Sequence, residues 1–285
     1  MQFSQIEEEL YGTKLGDKKM RQVTSDQIKD ISFQILEEVA RFCDDHGIQY
    51  FLVCGTALGA VRHNGFIPWD DDIDIGMPRP DYERFLCEYN SNQYRLCTHE
   101  LDKKYPYAFA KICDDRTTLI ENITNPCDLG VYIDIFPIDG LPSNENEREE
   151  FLKLIEWDLR ILAWKRISRN KKVGAFHKVI QICAKAILSP VPVSVFVNKL
   201  DSDVKRYSYK DSEWAGHLIT VAVWGNDVKP KKLFEKAVKH KFETGEFFIP
   251  ADYDEYLTLE YGDYMKLPPK EKQVAKHDFV AYWKE

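Results

Sequence analysis

The sequence has no long apolar run, no excess of basic residues and no leader-like start. Its least charged stretch, residues 179–198, is interrupted by Lys185, Pro190 and Pro192, so it falls short of the roughly 20 apolar residues that a membrane-spanning helix needs. The opening segment MQFSQIEEEL carries three acids and no apolar core, which does not fit a secretory signal. These absences predict a cytoplasmic protein without a membrane span.

Paired cysteine motifs, internal repeats, low-complexity tracts and long Gly/Ser linkers are also missing. The seven cysteines form no CxxC pair, and several lie inside apolar runs such as Phe51-Leu52-Val53-Cys54. This distribution favours reduced core thiols over disulfides or zinc ligands. A chain of 285 residues can bury a large core without such cross-links.

The charge of the chain is unevenly distributed. Lys and Arg number 39 against 47 Asp and Glu, and this net acidity argues against a dedicated nucleic-acid binder. Residues 70–139 alone carry a net charge of −8, whereas residues 160–241 hold 18 bases against 6 acids. The basic stretch predicts either peripheral contact with an anionic membrane or a solvated helical face.

Periodicity and capping signals predict an α+β fold. Residues 1–142 are expected to form a catalytic core, with a mixed β-sheet flanked by helices. Residues 143–285 are expected to form a mostly helical part that packs on this core and binds substrate or acceptor. Predicted helices lie at 25–46, from Pro80, at 143–167, 174–188 and 194–207; predicted strands lie at 48–54, 73–77, 94–98, 107–113, 117–121, 130–136 and 216–224.

A dense run of carboxylates is the most informative local feature. In the segment from Pro68 to Gly76, PWDDDIDIG, four carboxylates fall within five positions. On a strand, Asp70, Asp72 and Asp74 share a face while the interleaved isoleucines enter the core. Hard oxygen ligands on one face suit Mg²⁺ or Mn²⁺. A solvated acidic loop is the alternative.

A second strand supplies another carboxylate. Asp134 stands in the apolar segment GVYIDIFP, residues 130–137, where an unpaired charge would be costly. One interpretation is a core carboxylate paired with a lysine or arginine. The other is that carboxylates from two neighbouring strands form a two-metal site for phosphoryl chemistry.

Phosphate-binding groups are expected upstream of the acidic run. Gly55-Thr56 ends a strand and starts a helix-like turn, whose amides and threonine hydroxyl can hold phosphate oxygens. Arg62, His63 and Lys111 are candidates for neutralising the remaining phosphate charge.

Taken together, these motifs resemble the nucleotidyltransferase superfamily typified by polymerase β. The run from Tyr50 to Ile75, YFLVCGTALGAVRHNGFIPWDDDIDI, is similar to the LicD family. Further similar segments are Lys111-Ile112-Cys113-Asp114, the residues from Val131 to Asp139, and the tail motifs at 253–257 and 261–265. The resemblance spans roughly residues 25–270 and carries less of the pattern over 168–240.

The resemblance implies a function. LicD proteins transfer phosphocholine from CDP-choline to sugar hydroxyls of teichoic acid or lipopolysaccharide, and their fukutin-related relatives transfer alditol phosphates. By this resemblance Asp72 and Asp74 bind the metals, Asp70 supports them, and Asp134 is the third ligand near the acceptor hydroxyl. Nucleotidyl transfer and a non-catalytic binding protein are the competing hypotheses.

A choline head group calls for aromatic faces near a carboxylate. The candidates are Trp69, Trp214, Trp224, Tyr261 and Tyr264. An alditol donor would need no such aromatic cage.

Overall fold

The structure is a computed structural model that describes residues 21–121, 127–166, 187–220, 228–274 and 279–284. The predicted helical segment 174–188, apart from its last two residues, lies outside these ranges, and so does Trp224.

The described residues contain six α-helices of nine residues or more and eleven strands. The helices are α1 (Ser25–His46), α2 (Cys54–His63), α3 (Arg79–Glu88), α4 (Glu145–Arg166), α5 (Val193–Val204) and α6 (Tyr253–Tyr261). The strands are β1 (Phe51–Leu52), β2 (Asp74–Pro78), β3 (Arg95–Cys97), β4 (Ala110–Asp114), β5 (Thr117–Glu121), β6 (Val131–Leu141), β7 (Trp214–Gly216), β8 (Val228–Pro230), β9 (Ala237–Phe242), β10 (Gly245–Pro250) and β11 (Phe279–Trp283).

Helix α1 follows its sequence signals closely. The Thr24 hydroxyl and the Gln27 side chain form a reciprocal capping box at its start, and Gly47 ends it in the left-handed conformation with φ 60°. Its apolar face packs on the sheet, where the Ser32 hydroxyl donates to the Tyr132 carbonyl at 3.4 Å. This helix therefore covers the face of the sheet opposite the one that carries the charged row described below.

Within the described ranges the central sheet is mixed and contains seven strands. Its main order is β1-β2-β6-β4-β3. Strands β2 and β6 run parallel, and the other pairs along this order run antiparallel. The far end of β6 pairs with β7, which in turn pairs with β8. These features confirm the α+β nucleotidyltransferase-like fold class.

The part after residue 143 contains more strand than the sequence indicated. Its described residues include three helices and five strands, because short lysine-rich segments such as β9 lack the apolar alternation that marks a strand. The strand predicted at 216–224 is wrong over residues 216–220, because β7 ends at Gly216 and Leu218–Thr220 form a 3₁₀ turn; residues 221–224 lie outside the described ranges. The boundary between residues 142 and 143 stays a prediction, although β7 and β8 extend the sheet begun by the first part.

A hairpin from the second part also docks beside the first. Strands β9 and β10 pair with each other, and Phe248 packs edge to face on Tyr50 at 5.6 Å. At the hairpin turn, the amide of Glu243 donates to the Asn64 carbonyl at 2.8 Å, and its carboxylate accepts from the Phe66 amide at 2.9 Å. The turn that ends α2 is thereby fixed by the C-terminal half of the chain.

None of the helices in the described ranges combines the length and apolar composition that a bilayer crossing requires.

Candidate active site

A row of three charged side chains crosses the middle of the sheet. Asp74 on β2 is the register partner of Asp134 on β6, which is in turn the partner of Lys111 on β4. Register partners on neighbouring strands share a face, so these side chains project from the same side. The other face takes the fully buried isoleucines 73, 75, 112, 133 and 135. The prediction that the strands of Asp74 and Asp134 are neighbours is confirmed.

The aspartates before this row lie in a loop, which corrects the predicted strand. Strand β2 begins only at Asp74. Before it, the Asp70 amide donates a hydrogen bond to the Ile67 carbonyl at 2.9 Å, and this bond closes a turn. The reason is that the neighbouring chain leaves the sheet after Val53 to enter α2, so residues before Asp74 have no strand on that side. The turn brings carboxylate oxygens of residues 70, 71 and 72 within 4.8 Å of one another.

These carboxylates lie close enough to repel one another. The pKa of Asp74 is raised well above its ordinary value, first by burial and then by the charges of Asp72, Asp134 and Asp70, while Lys111 opposes the shift. A divalent cation would offset this repulsion, and carboxylate oxygens are ligands that Mg²⁺ and Mn²⁺ prefer. The donor set of these four aspartates therefore fits such a metal, and Asp71 is a neighbouring carboxylate that was not among the predicted ligands.

The start of α2 lies against the aspartate loop. A Cβ added at Gly55 would come 2.6 Å from Asp70 Oδ2, so only glycine allows this approach. The first-turn amides of a helix have no intrahelical acceptor and carry partial positive charge. The Thr56 hydroxyl is buried and accepts a hydrogen bond from the Asp74 amide at 2.9 Å. Thr56 thus connects the anion-binding end of α2 to the carboxylate row.

Lys111 is placed differently from its predicted role. Its ammonium, 2% exposed, donates to Asp134 Oδ1 at 2.5 Å, so the cation assigned to the donor phosphates is paired with the carboxylate instead. The rings of Tyr107, Phe109 and Tyr132 surround Nζ at 4.8, 5.1 and 3.4 Å from their centroids. The structure therefore contains the lysine–carboxylate pair that was one of the two interpretations of Asp134, and this pair lies within the site.

Arg62 and His63 lie at the opposite end of α2 from Gly55, about 10 Å further along the helix axis at 1.5 Å per residue. Arg62 Nη1 donates to the Tyr264 carbonyl at 2.7 Å. Burial lowers the pKa of His63, and the Arg62 charge lowers it further. His63 also packs edge to face on Trp69 at 6.3 Å, which is half-buried next to the aspartate loop. Both residues therefore lie away from the start of α2, and His63 lies near the loop through its contact with Trp69.

The candidate aromatic residues separate into two places. The Tyr264 carbonyl accepts the hydrogen bond from Arg62, and the Tyr264 hydroxyl donates to Asp254 at 2.7 Å. Tyr261 lies near the Arg62 charge and is 38% exposed. Trp214 pairs with Leu141 in the sheet, seven residues or about 23 Å along β6 from Asp134. The structure brings Trp69, Tyr261 and Tyr264 together through Arg62 and His63, and leaves Trp214 apart.

Sequence reasoning missed the residues that surround Lys111 and those beneath α2. Tyr132 and Phe109 each stand two positions before a member of the charged row, and this period-2 spacing could have indicated a shared face. Tyr256, whose hydroxyl accepts from the Cys54 amide at 3.2 Å, lies 202 residues away in sequence, and no local pattern points to that contact.

A mixed sheet that presents a carboxylate row beside the start of a helix defines a nucleotidyltransferase-like enzyme of phosphoryl transfer. The nucleotidyltransferase domain of the family described as LicD/FKTN/FKRP matches residues 47–153. The lipopolysaccharide cholinephosphotransferase LicD of Haemophilus influenzae is 32% identical to this chain, and the match covers 92% of this chain and 99% of that relative. The chain therefore belongs to the LicD family and is a LicD-type phosphotransferase.

A second relative matches a shorter segment. The ribitol 5-phosphate transferase FKRP of Homo sapiens is 34% identical over 71 residues, which is 24% of this chain and 14% of FKRP. The two named relatives thus transfer different phosphate-bearing groups.

Proposed function

We propose that this protein transfers phosphocholine from CDP-choline to a sugar hydroxyl of a cell-surface glycan precursor, of the teichoic acid or lipopolysaccharide type, and releases CMP. The observation that carries the proposal is the placement of the Asp70–Asp72 loop and the Asp74–Asp134 row against the start of α2. The similarity to a lipopolysaccharide cholinephosphotransferase over 92% of the chain supports phosphocholine as the transferred group.

In this proposal Asp70, Asp72, Asp74 and Asp134 hold Mg²⁺ or Mn²⁺. The bound metal would neutralise charge on the donor pyrophosphate. The first-turn amides of α2 at Gly55 and Thr56 bind phosphate oxygens, since a helix start favours anions. The Thr56 hydroxyl also accepts a hydrogen bond from the Asp74 amide. This bond fixes the distance between the phosphate-binding turn and the carboxylate row.

The acceptor hydroxyl is activated at Asp134. Its carboxylate takes the proton while the acceptor oxygen attacks the distal phosphorus. The bond from that phosphorus to the bridging oxygen breaks, and CMP leaves with the bond's electron pair. Lys111 holds the carboxylate at 2.5 Å and so orients it. Positioning and charge neutralisation dominate phosphoryl transfer, so the protein needs no covalent intermediate.

The choline group is proposed to lie against Trp69, with Tyr261 and Tyr264 further along the same side. A quaternary ammonium binds aromatic faces, and Trp69 directly precedes the aspartate loop. Arg62 and His63 border this region; the lowered pKa of His63 favours its uncharged form, and the Arg62 guanidinium donates to the Tyr264 carbonyl.

A donor panel tests the proposal. Purified protein is incubated with Mg²⁺, a glycan acceptor extract and CDP-choline, CDP-ribitol, CDP-glycerol or a nucleoside triphosphate, and released CMP and pyrophosphate are measured. CMP release that is fastest with CDP-choline and is lost in Asp134→Ala supports the proposal. A preference for an alditol donor, as the FKRP match would favour, removes phosphocholine. Release of pyrophosphate from a nucleoside triphosphate points to nucleotidyl transfer, and no turnover with any donor points to a binding protein.

We also propose that residues 160–241 contact an anionic membrane, where the protein would bind its acceptor. In the described part of this stretch many cations pair with carboxylates, among them Lys199, Lys205, Arg206, Lys229, Lys232 and Lys239. Co-sedimentation with anionic vesicles should show binding that falls with salt, and the absence of such binding would reject the contact.

A further inference from the structure

A buried polar group lies beneath the start of α2, and the proposed chemistry does not use it. Lys229 on β8 is fully buried and forms an ion pair with Glu260 on α6, whose side chain is 6% exposed. Tyr256, one turn before Glu260 on the same helix, is also fully buried, and Lys229 Nζ lies 5.1 Å from its ring centroid. Such a buried ion pair is costly to desolvate and seldom adds stability, so its presence calls for a role.

The group reaches α2 through one hydrogen bond. The Tyr256 hydroxyl accepts from the Cys54 amide at 3.2 Å. Cys54 has φ 50°, in the left-handed region that side chains rarely adopt. The hydrogen bond therefore fixes the peptide that immediately precedes the Gly55 and Thr56 amides.

We propose that Tyr256, held by the Lys229–Glu260 pair, is a positioning residue for the phosphate-binding turn at the start of α2. This inference rests on the proposed function, since it assigns the turn to the donor phosphates. The hydroxyl keeps Cys54 in its left-handed conformation, and this conformation sets the direction of the next two amides. Residues from β8 and α6 thus prepare an anion site that the first half of the chain forms.

The orientation of the turn has a second constraint on its other side. Gly55 lies so close to Asp70 that a Cβ would come within 2.6 Å of its carboxylate oxygen. A rotation of the Cys54 peptide would therefore move the turn relative to the aspartate loop. Loss of the Tyr256 hydroxyl should weaken donor binding specifically, while Asp134 on β6 stays in place.

The test compares Tyr256→Phe with Tyr89→Phe. Each change removes only the hydroxyl of a buried tyrosine: Tyr89, just after α3, donates to Glu38 on α1 at 2.9 Å, away from the site. In Tyr256→Phe we expect the KM for CDP-choline to rise about tenfold, the worth of one ordinary hydrogen bond. The kcat and the KM for the acceptor should stay near their wild-type values, and Tyr89→Phe should leave all three unchanged.

Amide hydrogen exchange gives a readout that does not depend on activity. In Tyr256→Phe the segment around Cys54 should exchange faster, whereas Tyr89→Phe should leave it unchanged. If exchange around Cys54 is the same in wild type and Tyr256→Phe, the positioning role is wrong whatever the donor. If exchange rises but donor KM does not, the turn is not the phosphate site. If wild type releases no CMP while exchange responds as expected, the proposed function fails and only the hydroxyl's hold on the turn survives.

Discussion

Replacing Lys111 by methionine removes the buried cation that faces Asp134. The ammonium is 2% exposed and the Asp134 side chain 15% exposed, with 2.5 Å between the charged atoms. Removing one partner of a buried pair costs about 3–5 kcal/mol. Because Asp134 keeps some access to water, we expect the lower end, about 3 kcal/mol, or a fall in Tm of about 6–12 °C for a chain of this size.

The loss of stability in Lys111→Met should depend on the concentration of divalent cations. In Lys111→Met the carboxylates of Asp74 and Asp134 face each other without their cation, so Mg²⁺ should bind more tightly than in wild type. Mg²⁺ at about 100 times its Kd stabilises a folded protein by about 2.7 kcal/mol. Thermal unfolding with and without Mg²⁺ should therefore show a larger gain for Lys111→Met, which recovers much of its loss.

The control is Lys153→Met, which removes a lysine from an exposed pair with Glu149 at 3.6 Å. Such a pair contributes little, so its Tm should stay near that of wild type. The double variant Lys111→Met/Asp134→Asn should unfold at a higher temperature than Lys111→Met, since it removes one of the two carboxylates that lost their cation. If Lys111→Met is as stable as Lys153→Met, or if Mg²⁺ stabilises it no more than wild type, the reasoning about this pair is refuted.

Three further predictions concern the site, pH and packing. Asp72→Asn should lower CMP release about 100-fold or more by removing a metal ligand without lowering Tm; activity near wild type would contradict the assignment. Burial and the Lys229 charge lower the pKa of His217 to about 4, while Glu260 and the Pro137 carbonyl oppose the shift. The unfolded chain therefore binds more protons between pH 6.5 and 4, so about 3 kcal/mol of stability is present above pH 6.5 and is lost as pH falls through this window. In urea unfolding, the free energy of unfolding of His217→Phe should fall less than that of wild type over this pH window. The same pH dependence in both proteins would contradict the role of His217. Gly59→Ala should destabilise by about 1–3 kcal/mol in chemical unfolding, because its Cβ would come 2.5 Å from the Gly65 carbonyl oxygen; an unchanged midpoint would show that the turn can yield.

Much of the first half of the fold could be predicted from local signals. The bounds of α1 agree with the prediction because its cap at Thr24 and its end at Gly47 are encoded within a few residues. The predicted positions of β2 and β6 were close to the observed ones, because isoleucines at alternate positions mark a buried strand face. The strands after residue 143 were largely missed. The strands β7 and β8 are only three residues long, and they form because β7 pairs with β6 and β8 pairs with β7.

The candidate site was predicted in its composition but not in its arrangement. The carboxylates, Gly55 and Thr56 were all singled out from their spacing. The spacing did not reveal that Asp70–Asp72 form a loop, because that depends on where the neighbouring strand leaves the sheet. It also assigned Lys111 to phosphate, whereas register with Asp134 decides its partner.

The sequence by itself determined which residues we propose for the chemistry and which segments hold them, because capping, alternation and turn signals act within a few positions. The tertiary structure decided which charges meet. Lys111 pairs with Asp134 only because β4 lies beside β6, and Tyr256 reaches Cys54 only because α6 packs beneath α2. Such contacts join residues far apart in the chain, and their energy depends on burial and distance, which no local pattern of residues contains.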